Sequence, residues 1–116
     1  MHITANRIEA DPDDGENYAL LFFGESSGRY LSLARGNRDD NDRGVEIELN
    51  EQSRYAKDAV TRCRLHIDSL HLRVQSQLGD TEITVSLPVP CSALPAIRYS
   101  LRNIFRGHTK FEDCCT

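Results

Sequence analysis

The chain has 116 residues, enough for one domain with one modest core. Apolar residues make up 39% and charged residues 28%, a polar composition that still excludes disorder, and the formal net charge is −4. There is no Trp and only 7% aromatic content, so the core must be built mainly from Leu, Ile and Val, with no room for a large dinucleotide-binding fold.

The charge is unevenly placed. Residues 1–60 hold 7 Lys/Arg against 13 Asp/Glu, a balance of −6, while residues 61–116 hold 7 against 5, a balance of +2. The acidic half argues against nucleic-acid binding, which phosphate attraction drives. It suits a basic protein partner, although plain solubility accounts for the same excess. The longest apolar run, Tyr18 to Phe23, is too short to cross a bilayer, so no membrane association is expected. The start, Met1 to Asn6, has neither a basic segment nor an apolar one, so no signal peptide is expected and the cytoplasm is the expected location.

Ile3 to Ile8 reads as a first strand, with Ile8 breaking strict alternation. Asp11-Pro12-Asp13-Asp14-Gly15 is a turn cluster. Tyr18 to Phe23 is apolar on both faces, the pattern of a central strand. Tyr30 to Ala34 alternates and reads as another strand. Gly36 to Gly44 is a polar loop with no apolar anchor, expected to be exposed and mobile. Val45, Ile47 and Leu49 alternate with Glu46 and Glu48, a strand with one wet face. Asn50 to Ala59 has no clear period and reads as a loop, with or without a short helical turn. Cys63, Leu65 and Ile67, then Leu70, Leu72 and Val74, alternate with polar residues on either side of Asp68-Ser69, which predicts a hairpin. Gly79-Asp80 turns into a further alternating strand through Ile83, Val85 and Leu87.

The period then changes. Leu94, Ile97, Leu101, Ile104 and Phe105 form one stripe of an α-helix, with Cys91 or Ser92 at its start, Ser92 as N-cap and Gly107 as the stop. Strands followed by a helix predict an α+β fold: a single antiparallel sheet of about six or seven strands with a C-terminal helix packed on one face. The domain is expected over residues 1–107, with 108–116 a flexible tail.

Chemistry-bearing patterns are weak. The four cysteines show no C-x-x-C and no Cys/His pair at metal-finger spacing, so no metal site and no disulfide framework is expected. His66 and His71 flank the hairpin turn and form a candidate metal or ligand pair, or simply exposed polar residues. Asp39, Asp40 and Asp42 lack calcium-loop spacing. Glu46 and Glu48 share a strand face. Acid/base work would need one of them desolvated, and cross-strand pairing with Arg62 and Arg64 is the simpler reading. Arg98, Arg102 and Arg106 recur every four residues beside the apolar helix stripe, either a solvated face or a docking stripe for an acidic patch of this protein or another. No catalytic residue and no cofactor is expected.

The segments Tyr30-Leu31-Ser32-Leu33-Ala34-Arg35, Leu49-Asn50-Glu51-Gln52 and Ile104-Phe105-Arg106-Gly107, in this order and spacing, resemble the bacterial polymorphic-toxin immunity proteins of family ten. The likeness spans residues 28–106. Where the family continues with a Gly-rich stretch, Ser53 to Ala59 here keeps the Tyr and loses every Gly, and the helix lacks the family's many acidic residues. The resemblance implies a small cytoplasmic protein without catalysis of its own, which binds and neutralises a cognate toxin domain. With the acidic balance of residues 1–60, it directs attention to Asp39, Asp40, Asp42, Glu46, Glu48 and Glu51 as the contact surface for a basic toxin. The alternative is a small ligand-binding module or enzyme with a polar site at His66, His71 and Arg73.

Overall fold

The expected first strand, Ile3 to Ile8, is two strands: the chain passes from one sheet to the other at Ala5-Asn6, and the parity of alternation is reset before Ile8. The computed structural model describes residues 1–50, 53–54, 58–76 and 79–115, the side chains of 53, 54 and 76 excepted. In it, β1 (His2–Thr4) and β2 (Arg7–Asp11) lie in different sheets. The Ala5 N–H donates to the Ser86 carbonyl at 2.9 Å and the Asn6 N–H to the Gly24 carbonyl at 2.8 Å, so consecutive residues are tied to opposite sheets.

One sheet, called here the β4 sheet, is antiparallel. It runs β2, β3 (Tyr18–Gly24), β4 (Tyr30–Gly36) and β5 (Glu46–Leu49), with the two-residue β6 (Ser53–Arg54) at its edge. The other, the β8 sheet, runs β1, β9 (Gly79–Ser86), β8 (Ser69–Ser76), β7 (Val60–Leu65) and β10 (Phe111–Asp113). Its three middle strands are antiparallel and both end strands join in parallel. The expected hairpin is β7–β8, paired from Leu65↔Leu70 outward.

Register explains the core. Leu21, Leu33 and Ile47 stand in one row of the β4 sheet, and Cys63, Leu72 and Ile83 in one row of the β8 sheet; all are buried in one continuous cluster. Helix α1 (Leu94–Ile104) adds Ile97, Leu101 and Ile104 to it, as the periodicity required, and lies against β2, β3 and β4. Arg35, on the same face of β4 as Leu31 and Leu33, reaches the Ile104 and Arg106 carbonyls, so the helix sits on the inner face beside the β8 sheet.

The α+β class stands, but the single sheet does not: two sheets face one core. A flat seven-stranded sheet at about 4.8 Å per strand is about 30 Å wide. An 11-residue helix is about 16 Å long and leaves most of such a face wet, so the strands divide and cover one another. Nor is the helix C-terminal. The tail expected from residue 108 holds β10, paired with β7, and Phe111 stacks on Phe105 with ring centroids 6.3 Å apart.

The helix also starts later than expected. Ala93, not Ser92, occupies the N-cap and makes no side-chain cap. The Leu94 N–H instead meets the Cys91 carbonyl of the preceding turn at 3.2 Å. Pro95 sits in the first turn, where its missing N–H costs little, and the helix ends at Ile104 with Phe105 as C-cap, before the expected stop; Gly107, at φ +77°, lies in the turn that follows.

Cys63 is fully buried, and desolvation pushes its thiol well above the ordinary range. A thiol reagent should therefore label Cys114, which is exposed, in native protein, and reach Cys63 only on unfolding. Peptide mapping after timed labelling checks this; native labelling of Cys63 at the Cys114 rate refutes the burial.

Candidate partner-binding face

The loop between β4 and β5 departs from the expectation of mobility. Gly36 leaves no room for a Cβ, which would collide with the Asn41 carbonyl. The Asn41 side-chain amide donates to the Asn17 carbonyl at 3.2 Å, and its Oδ1 accepts the Arg38 N–H at 2.9 Å. Asp42 takes both arms of the Arg35 guanidinium at 3.0 Å and accepts the Gly44 N–H at 3.0 Å. The Arg35 hydrogen bonds, then that N–H, hold the Asp42 carboxyl down at about 2. Arg106 reaches Asp42 at 3.4 Å and also donates to the Gly36 carbonyl. Asp42 therefore fastens its loop to the end of α1 and is spent inside the molecule.

The basic helix stripe has the same fate. Arg98 Nε lies 2.6 Å from Asp113 and Arg102 Nη2 lies 3.5 Å from it. Burial raises the Asp113 carboxyl, but the Cys115 N–H and Arg98 outweigh it and the net shift is downward. Of the two readings of the stripe, docking on acidic groups of this protein is the one observed.

The remaining candidates divide. Asp39, Asp40 and Glu46 are exposed and make no ion pair among the described residues. Glu48 is half-buried and accepts the Tyr30 hydroxyl. Glu51 lies outside the described residues. Glu46 and Glu48 project from the outer face of the β4 sheet, where the expected pairing with Arg62 and Arg64 does not occur, because those arginines stand on β7 in the other sheet.

The same outer face carries residues that the charge pattern did not single out. Phe22 stacks on Tyr30, centroids 5.6 Å apart, with the Arg7 guanidinium 5.7 Å from the Phe22 ring. Leu20 lies beside them, and all three side chains stay partly exposed. Glu9 stands opposite Phe22 and Asp11 opposite Leu20. Arg54 stands opposite Glu48 in register. The signal was present in the sequence: a strand apolar on both faces either has both faces covered or keeps an apolar strip outside.

On the outer face of the β8 sheet, His66 and His71 meet edge to face with centroids 5.2 Å apart. The two His71 ring nitrogens lie 3.0 Å from Ser69 Oγ and 3.4 Å from Thr84 Oγ1. Among the described residues, no three His, Cys, Asp or Glu side chains come together as a metal-holding group, and no helix is long and apolar enough to cross a membrane.

No family model, no curated protein and no solved structure matches this chain.

Proposed function

We propose that this chain is an immunity protein, similar to those of family ten, which binds and neutralises a cognate bacterial toxin domain by protein–protein contact in the cytoplasm, with no catalysis and no cofactor. The observation that supports it is the outer face of the β4 sheet. A partly exposed Leu20-Phe22-Tyr30 strip is rimmed by Glu9, Asp11, Glu46 and Glu48. Aromatic anchors inside a charged rim are the composition of a protein interface, where the anchors hold the complex and the rim speeds encounter.

The rim suits a basic toxin, and Asp39 and Asp40 on the neighbouring loop extend it. Asp42 leaves the proposed surface because Arg35 and Arg106 hold it largely out of solvent, whereas Glu9, although paired with Arg7 at 2.6 Å, stays exposed on the rim.

The test is association with a cognate toxin domain, sought as the product of a neighbouring gene, at low and high salt. Reversing Glu9, Glu46, Asp39 and Asp40 together to Lys should slow association by about tenfold or more at low salt and flatten the salt dependence. Phe22→Ala should act mainly on dissociation, raising it by about tenfold or more. An on-rate and salt slope that survive the fourfold reversal would falsify the acidic-face reading.

A further inference from the structure

Arg62 and Arg73 face each other directly across β7 and β8, an arrangement of like charges that destabilises a sheet unless something sits between them. A register shift between Val60 and Arg62 creates this pairing. Thr61 and Arg62 are consecutive and both exposed, so the irregularity resets the alternation and turns Arg62 onto the outer face with Arg64. Bulges of this kind re-aim side chains beside sites.

These three arginines, with His66, His71, Thr84 and the carboxylate of Glu82, line a depression of about 300 Å³, at the lower end of the range for ligand sites. Two of the charges are matched: Arg73 by Glu82 at 2.9 Å and Arg64 by Glu112 at 3.1 Å. Arg62 makes no ion pair among the described residues, and Arg64 Nε, although buried, makes no aligned hydrogen bond.

We infer that this depression binds a phosphoryl-type oxyanion, free or as a small phosphomonoester, with Arg62 as the principal charge. Guanidinium forks match phosphate oxygens and keep their charge at any working pH. The His66 imidazole lies at the same opening, beside His71 and Thr84, whose polar atoms are 3.4 Å apart and would have to turn from each other to meet an anion. An anion lodged there offsets the repulsion that the Arg73–Glu82 ion pair leaves between Arg62 and Arg73. The site lies on the opposite sheet from the proposed toxin-binding face, and neither depends on the other.

The test is NMR titration of the intact chain with inorganic phosphate, phenyl phosphate and acetate at constant ionic strength held with sodium chloride. The expected result is saturable shifts centred on Arg62, His66, His71 and Arg73, with a dissociation constant on the order of 1 mM or below for a phosphate probe. Phenyl phosphate at least tenfold tighter than phosphate identifies a monoester; equal affinities identify the free anion. Arg62→Ala breaks no ion pair among the described residues, so it should keep the melting temperature while weakening binding tenfold or more. Arg38→Ala, on the loop between β4 and β5, should leave binding unchanged. Acetate binding as tightly as phosphate, shifts that chloride abolishes, no saturation, or an unaffected Arg62→Ala variant each overturn the assignment.

Discussion

Leu101→Asp should prevent this protein from folding. Leu101 is fully buried, on the helix stripe that joins the inner faces of both sheets, with Ile97 and Ile104 on either side. The aspartate has nowhere to turn, because the stripe is the only apolar side of an otherwise polar helix. Removing the leucine contacts costs about 2–5 kcal/mol, and burying an unpaired carboxylate adds several more. That sum approaches the whole stability of a typical domain, about 5–15 kcal/mol. Far-ultraviolet circular dichroism and a urea melt at neutral pH measure it, with loss of a cooperative transition as the expected outcome. A melting curve like that of the parent chain refutes the packing of α1.

The second large effect is expected from Arg35→Ala, at a position with no obvious importance in a strand of small and apolar residues. The Arg35 side chain is only 12% exposed and makes four hydrogen bonds: two to Asp42 at 3.0 Å, one to the Ile104 carbonyl at 3.1 Å and one to the Arg106 carbonyl at 2.8 Å. Those carbonyls belong to the last helical residue and to the turn just beyond it, where a cation is also favoured by the helix dipole. Truncation leaves a half-buried carboxylate and two carbonyls short of donors. The expected cost is about 3 kcal/mol, well above the 0–1 kcal/mol of an exposed ion pair.

The same pair has a pH signature. The Asp42 carboxyl is depressed to about 2 from a model-peptide value of 3.8. A depressed carboxyl stabilises the fold at pH values above its unfolded pKa, and that contribution is lost as pH falls through the folded one. The parent chain should therefore lose stability between about pH 4 and pH 2, and Arg35→Ala should lose distinctly less over that interval. Urea melts at pH 5 and pH 2.5 on both proteins decide it; parallel losses sever the link between Arg35 and Asp42.

Local patterns in this chain were legible where they depend on neighbours a few residues away. The helix stripe, the β7–β8 hairpin and the alternation of β4, β5 and β9 all appear as read, because side-chain direction has a period of two in a strand and 3.6 in a helix. Pairings between distant segments were not legible. The tail became β10 because Phe111 finds Phe105 and Asp113 finds Arg98, and no property of residues 108–116 in isolation reports either contact. The polar loop is fastened because Arg35 sits at the end of a strand aimed at a helix terminus 69 residues further on. By composition alone, Asp42 cannot be told from Asp39 and Asp40.

The sequence by itself determined the middle strands β3, β4, β5, β7, β8 and β9, the place of helix α1, most of the core and how charge is split between the two halves of the chain; it missed β6 and β10 and read β1 and β2 as one strand. Only the tertiary structure decided that the strands form two sheets, that Asp42 and the helix arginines neutralise charges within the molecule, and that Phe22 and Tyr30 share an outer face with Glu9, Glu46 and Glu48. The physical reason is range. Alternation and helical period are set by backbone geometry at each residue, whereas the number of sheets and the partner of each charge depend on covering apolar area and desolvating ions. Both depend on segments far apart in the chain coming together.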